Sequence, residues 1–259
     1  MMQDLQPGIQ KLTLTIADHH LAVLYEYHPE ATDLILFLHG LACSHESFRY
    51  LLDRSRFPGV NLLVPDMLGF GMSAKPVEFS YTMEDQAELC LRLLRRFPYQ
   101  RLHLVAHSMG GAVALLMTEQ LAQLSSFANL EGNLISEDCG LLSRGIVRSS
   151  FDDYQKQGFA DHQREFAGDP QLRFEQTTAT AVYKSAQSLA GWSDSGKLLK
   201  IFTNLPGKTA YIFGEENARM PILRQLDSDQ LLMIPDSGHG MMTDNPESFY
   251  TALAEFISS

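Results

Sequence analysis

Short apolar runs recur along the chain, most of them continuous rather than alternating with polar positions. Residues 11–16 and 21–27 read as two strands of a hairpin that turns at Ala17-Asp18-His19-His20. Residues 34–38 then form an unbroken apolar run, Leu-Ile-Leu-Phe-Leu, ending at His39-Gly40. Unbroken apolarity suits a strand covered on both faces. The same form returns at 61–65, 102–106, 127–130, 210–213 and 231–234.

Helical patterns fall between these runs. Thr82-Met83-Glu84-Asp85 has the composition of a helix start, where a hydroxyl caps free backbone N–H groups. Met83, Ala87, Cys90, Leu94 and Phe97 follow at helical spacing. A buried helix is expected over 112–124. A last helix opens at Asn245-Pro246 with Phe249, Leu253 and Phe256 on one face. Strands alternating with helices predict an α/β fold: a mostly parallel central sheet flanked by helices. Between Leu130 and Thr209 the alternation stops and no strand is expected. Ser136-Glu137-Asp138 and Asp169-Pro170 look like helix starts, and Gly140, Gly145, Gly168 and Gly191 punctuate the stretch. Phe151, Tyr154, Phe159, Phe166, Phe174, Tyr183 and Trp192 make it rich in aromatics. The reading is a core of residues 1–131 and 206–259 carrying a helical cap, or lid, over 132–205. Most of the aromatics are expected simply to pack the insertion in place.

Composition narrows the partners. The 259 residues carry a formal net charge of −11 and are 45% hydrophobic. That acidity disfavours nucleic acid and anionic membranes, and its plainest role is solubility. No apolar run approaches the roughly 18 residues that suggest a membrane span. Cys43, Cys90 and Cys139 have neither metal nor disulfide-framework spacing. The opening MMQDLQPGIQKL lacks the pattern of a signal peptide, so a cytoplasmic location is expected.

The strongest chemical signal is Leu102-His103-Leu104-Val105-Ala106-His107-Ser108-Met109-Gly110-Gly111 leading into a helix. A sharp strand-to-helix turn presents one side chain at its apex. Small residues flank the apex because the two backbones pass close together, and here they are Ala106 and Gly110. Ser108 then sits at a helix N-terminus, where the dipole favours developing negative charge. The plainer role for such a serine is helix capping.

With this elbow stand His39-Gly40, the segment Asp66-Met67-Leu68-Gly69-Phe70-Gly71-Met72-Ser73, and Ser237-Gly238-His239. In that order the chain resembles the α/β-hydrolase superfamily, in its capped serine-hydrolase branch, over nearly its whole length. The resemblance implies a Ser-His-acid triad with Ser108 as nucleophile. Of nine histidines, His239 is the last in the chain and lies in a glycine-bounded loop, as the family's base does. His107 is a poor base, since side chains adjacent at the elbow diverge. The commonest family position for the acid lies after the 210–213 strand, yet there Gly214-Glu215-Glu216-Asn217 places an asparagine. Some capped relatives supply the acid one strand earlier, which favours Glu131. Asp138, Glu215 and Glu216 stay open, with Asn217 as an alternative that orients without charge. The oxyanion hole falls to the backbone N–H groups of Leu41 and Met109. His39 is expected to brace the Leu41 loop, Gly40 to adopt a backbone angle other residues resist, and Asp66 to fix its own loop.

Dehalogenases and epoxide hydrolases of similar fold use an aspartate nucleophile, which Ser108 disfavours. No metal spacing or phosphate-cradling loop is present, so catalysis without metal or cofactor is expected. The expected activity is hydrolysis of a carboxylic ester or thioester in a mainly apolar small molecule. Cleavage of an activated carbon–carbon bond, and a non-catalytic binding role, are the alternatives. Oligomeric state is not legible.

Overall fold

A computed structural model describes residues 8–52, 57–139 and 142–258. The first seven residues and Gly140 lie outside them. Eight strands form one sheet in the order β1-β2-β4-β3-β5-β6-β7-β8. They are β1 (Gly8–Ile16), β2 (His19–Tyr27), β3 (Asp33–Leu38), β4 (Val60–Pro65), β5 (Arg101–His107), β6 (Ser126–Leu130), β7 (Lys208–Gly214) and β8 (Leu231–Ile234). β1 and β2 pair antiparallel, as do β2 and β4, and every other pairing is parallel. All residues of β3 are buried, as are those of β6. For β3 this double-sided burial is what its unbroken apolar run foretold.

The helices are α1 (Met83–Leu94), α2 (Met109–Thr118), α3 (Leu142–Val147), α4 (Phe151–Asp153), α5 (Phe159–Glu165), α6 (Ala179–Ser195), α7 (Lys197–Thr203), α8 (Met241–Asp244) and α9 (Pro246–Ser258). One face of the sheet packs on α1, α2, α6 and α7, the other on α8, α9 and the 3-10 turns of His45–Leu52. Thr82 caps α1 by accepting the Asp85 N–H, and Phe249, Leu253 and Phe256 form the buried stripe of α9.

Several local expectations need correction. The hairpin turn is only Ala17-Asp18, both with positive φ, because His19 and His20 already pair with Ile16 and Thr15. The helix expected over 112–124 begins at the elbow and ends at Thr118, and Leu121 and Leu124 beyond it pack on the core from a non-helical segment. Asp169-Pro170 opens no helix. The Asp169 carboxylate accepts the N–H groups of Gln171 and Leu172 and so closes a turn.

No strand occurs between β6 and β7 among the described residues. α4 and α5 are joined there by a π-helical turn, Tyr154–Gly158. Aromatic rings hold this part together: Tyr154 meets Phe159 and Tyr183, while Phe166 stacks on Phe174 at 5.6 Å. α7 lies within 132–205 but covers the sheet, with Phe202 against Phe127 of β6 and Tyr211 of β7.

Candidate active site

β5 runs into α2 through Ser108, whose φ of 52° and ψ of −120° are sterically unfavourable for a residue with a Cβ. Such a conformation costs about 1–3 kcal/mol and persists only where its surroundings enforce it. Here the Ser108 N–H is tied to the Leu130 carbonyl at 3.0 Å. Gly110 lets α2 approach the end of β3, since a Cβ there would lie 2.6 Å from the Leu38 carbonyl oxygen. Ser108 makes no side-chain cap bond, so its hydroxyl is not spent on the helix.

The loop after β3 lies against this elbow. A Cβ on Gly40 would stand 3.0 Å from His107 Nδ1 and 3.2 Å from Ser108 Cβ. A side chain at Gly40 would therefore crowd the elbow. The expected unusual backbone angle belongs to Ala42, at φ 55°. The Leu41 N–H meets no acceptor among the described residues. Met109 opens α2, so its N–H has no intrahelical acceptor. His39 Nδ1 donates to the Gly40 carbonyl and Nε2 accepts the Met67 N–H at 2.9 Å. Burial holds the His39 pKa down against the nearby Asp66 charge, so the ring stays neutral in this role. Asp66 accepts from His45 N–H, His45 Nδ1 and Met72 N–H. Burial opposes its ionisation, but His45 and His39 outweigh that and leave its pKa below the usual carboxylate value.

Glu131 follows β6 with φ 43° and is 3% exposed. Its Oε2 lies 2.7 Å from His239 Nδ1. Its Oε1 accepts the Gly214 N–H at 2.9 Å, and Asn217 Nδ2 donates to both carboxylate oxygens at 3.0 and 2.9 Å. The buried carboxylate is thus hydrogen-bonded on both oxygens, as a buried charge requires. Asn217 holds Glu131 and makes no bond to His239. Asp138 also stands apart from His239: its Oδ2 accepts the Leu134 and Ile135 N–H groups, and burial raises its pKa to about 6. Glu215 accepts the Asp236 N–H, and Glu216 packs near Gly238.

His239 is half exposed at its side chain. The His107 ring centroid lies 4.6 Å from that of His239, and its Nε2 donates to the His239 carbonyl at 3.0 Å. Burial, with His239 nearby, pushes the His107 pKa well below that of an ordinary histidine. The elbow, the Gly40 loop and the His239 loop therefore meet around one neutral imidazole. The sequence signal for His107 was its place beside Ser108, but its partners lie far away in the chain. Among the described residues no group of three or more His, Cys, Asp or Glu is placed to hold a metal ion.

The model of the alpha/beta hydrolase family matches residues 35–252. The chain belongs to that family. A lipase of Psychrobacter immobilis is 27% identical over 138 residues, 53% of this chain and 41% of that protein. The chain thus matches less than half the length of that lipase. The 2-hydroxy-6-oxo-6-(2'-aminophenyl)hexa-2,4-dienoic acid hydrolase of Metapseudomonas resinovorans is 24% identical over 221 residues, covering 76% of this chain and 73% of that one. Among solved structures, an N-acyl homoserine lactonase superposes with a TM-score of 0.76 at 17% identity, over 97% of this chain and 96% of that one. The superposition shows a shared fold. No helix among the described residues is long and apolar enough to cross a membrane.

Proposed function

We propose that the protein is a serine hydrolase acting on carboxylic esters or thioesters. The observation that carries this is the 2.7 Å contact of His239 Nδ1 with Glu131, on a histidine that His107 fixes beside the Ser108 elbow. With Nδ1–H given to Glu131, Nε2 is the basic nitrogen. It takes the Ser108 proton as Oγ attacks the carbonyl carbon. Glu131 stabilises the imidazolium that results. The Leu41 and Met109 N–H groups receive the oxyanion, each contributing about 3 kcal/mol in comparable sites. Collapse expels the alcohol or thiol, which takes the proton from His239. Water, deprotonated by His239, then releases the acid from the acyl-enzyme.

The helices between β6 and β7 act as a cap in this reading, and their aromatic and aliphatic content favours an apolar acyl or alcohol group. An esterase assay with p-nitrophenyl esters of increasing acyl length tests it. Turnover is expected to be best on uncharged apolar chains and to vanish in Ser108→Ala. Best turnover on strongly charged substrates contradicts the cap reading. A second reading, carbon–carbon bond hydrolysis by the same Ser108, His239 and Glu131, is favoured by the dienoic acid hydrolase match across 76% of the chain.

A further inference from the structure

The segment between α5 and α6 ties the helical insertion to three loops of the site. Arg49 donates to the Pro170 carbonyl at 2.7 Å. Gln171 Nε2 donates to Thr243 Oγ1 at 2.7 Å, with its amide filling the space above Gly240, the residue after His239. Thr177 Oγ1 donates to the Gly69 carbonyl at 2.8 Å. Arg173 makes the most direct link to the oxyanion loop. Its main-chain N–H donates to the Ala42 carbonyl at 2.6 Å, and its side-chain Nε donates to Glu46 Oε2 at 2.7 Å. Another guanidinium nitrogen returns to the Asp169 carbonyl at 2.5 Å, bracing the segment itself.

We propose that Arg173 is a positioning residue: its side-chain bond to Glu46 holds its segment in place, so that its main-chain N–H steadies Ala42 and with it the Leu41 N–H of the oxyanion hole. The inference rests on the serine-hydrolase reading above. Ala42 directly follows Leu41 and takes a left-handed angle that a non-glycine residue resists, so the loop needs external hold. One hold comes from the sheet side, through His39 to Met67 and His45 to Asp66. The other comes from the insertion, through Arg173. Its side chain is 19% exposed, so the ion pair with Glu46 that fixes this segment is partly shielded from water. A donor displaced by a fraction of an ångström loses its value in the transition state while ground-state binding changes little.

The test compares Arg173→Ala, Glu46→Ala and the double variant with the parent protein. Steady-state hydrolysis of p-nitrophenyl butyrate is measured alongside affinity for an alkyl trifluoromethyl ketone, which forms an oxyanion on the serine. Each single variant is expected to lose about tenfold in kcat with KM nearly unchanged, a loss in the range misplacement of catalytic groups produces. The ketone should weaken by a similar factor, and the double variant should be no worse than either single. Parent-like kcat and ketone affinity in both variants overturn the inference, as does a lowered melting temperature with unchanged turnover per titrated site. If Arg173→Ala does not fold, Glu46→Ala, whose side chain is 41% exposed, carries the comparison. Failure of the parent protein to react with a fluorophosphonate at Ser108 is a separate result and strikes the underlying reading instead.

Discussion

In the proposed mechanism Glu131 stabilises the His239 imidazolium while Asn217 clamps the Glu131 carboxylate. Glu131→Gln is expected to cut kcat by up to about 10⁴, the scale seen when a triad acid loses its charge. Asn217→Ala removes only a clamp on the carboxylate, so a loss of about tenfold or less is expected in the same steady-state assay. The reverse ranking would make Asn217 the principal orienting group. The sequence favoured Glu131 only through its likeness to capped relatives, because the choice depends on how β6 and β7 place their ends. The partner of His107 was not legible for the same physical reason, since it lies far away in the chain. His107→Phe removes the donor to the His239 carbonyl, and kcat is expected to fall by tenfold to a hundredfold, on the scale of small misplacements. Parent-like kcat in that variant would leave His107 as packing alone.

Among elements, the elbow was the most legible, because Ala106, Ser108 and Gly110 mark both the bend and the close approach. Gly110→Ala places a methyl 2.6 Å from the Leu38 carbonyl oxygen. The expected cost is about 1–3 kcal/mol, read as a lowered denaturation midpoint. Shorter elements were poorly legible. Asp169-Pro170 carries a cap signal that a turn uses equally well, and α2 stops at Thr118 although Leu121 and Leu124 continue the apolar spacing. The turn after β6 gives a pH test. The Asp138 pKa is raised to about 6, so folding favours its protonated form. Its relative stabilisation is full below the unfolded-state value near 4 and is lost as pH rises through about 6. Asp138→Asn does not titrate, so its melting temperature should gain on the parent as pH rises from 4 to 7. A gap independent of pH would contradict this.

At the scale of the molecule, the continuous apolar runs made the parallel sheet readable, since burial on both faces leaves no alternation to confuse with a helix. The insertion between β6 and β7 was readable only as helical. Its contacts with the site join residues more than a hundred positions apart, such as Arg173 with Glu46 and Ala42. The whole account places three distant segments around one hydroxyl. Its most direct test is the rate of fluorophosphonate labelling in the parent, His239→Ala and Glu131→Gln proteins, with the adduct located by peptide mass spectrometry. The account predicts one adduct, on Ser108, and a rate that collapses without His239 and drops sharply without the Glu131 charge. An unmodified Ser108, or labelling there at the parent rate in His239→Ala, would contradict it.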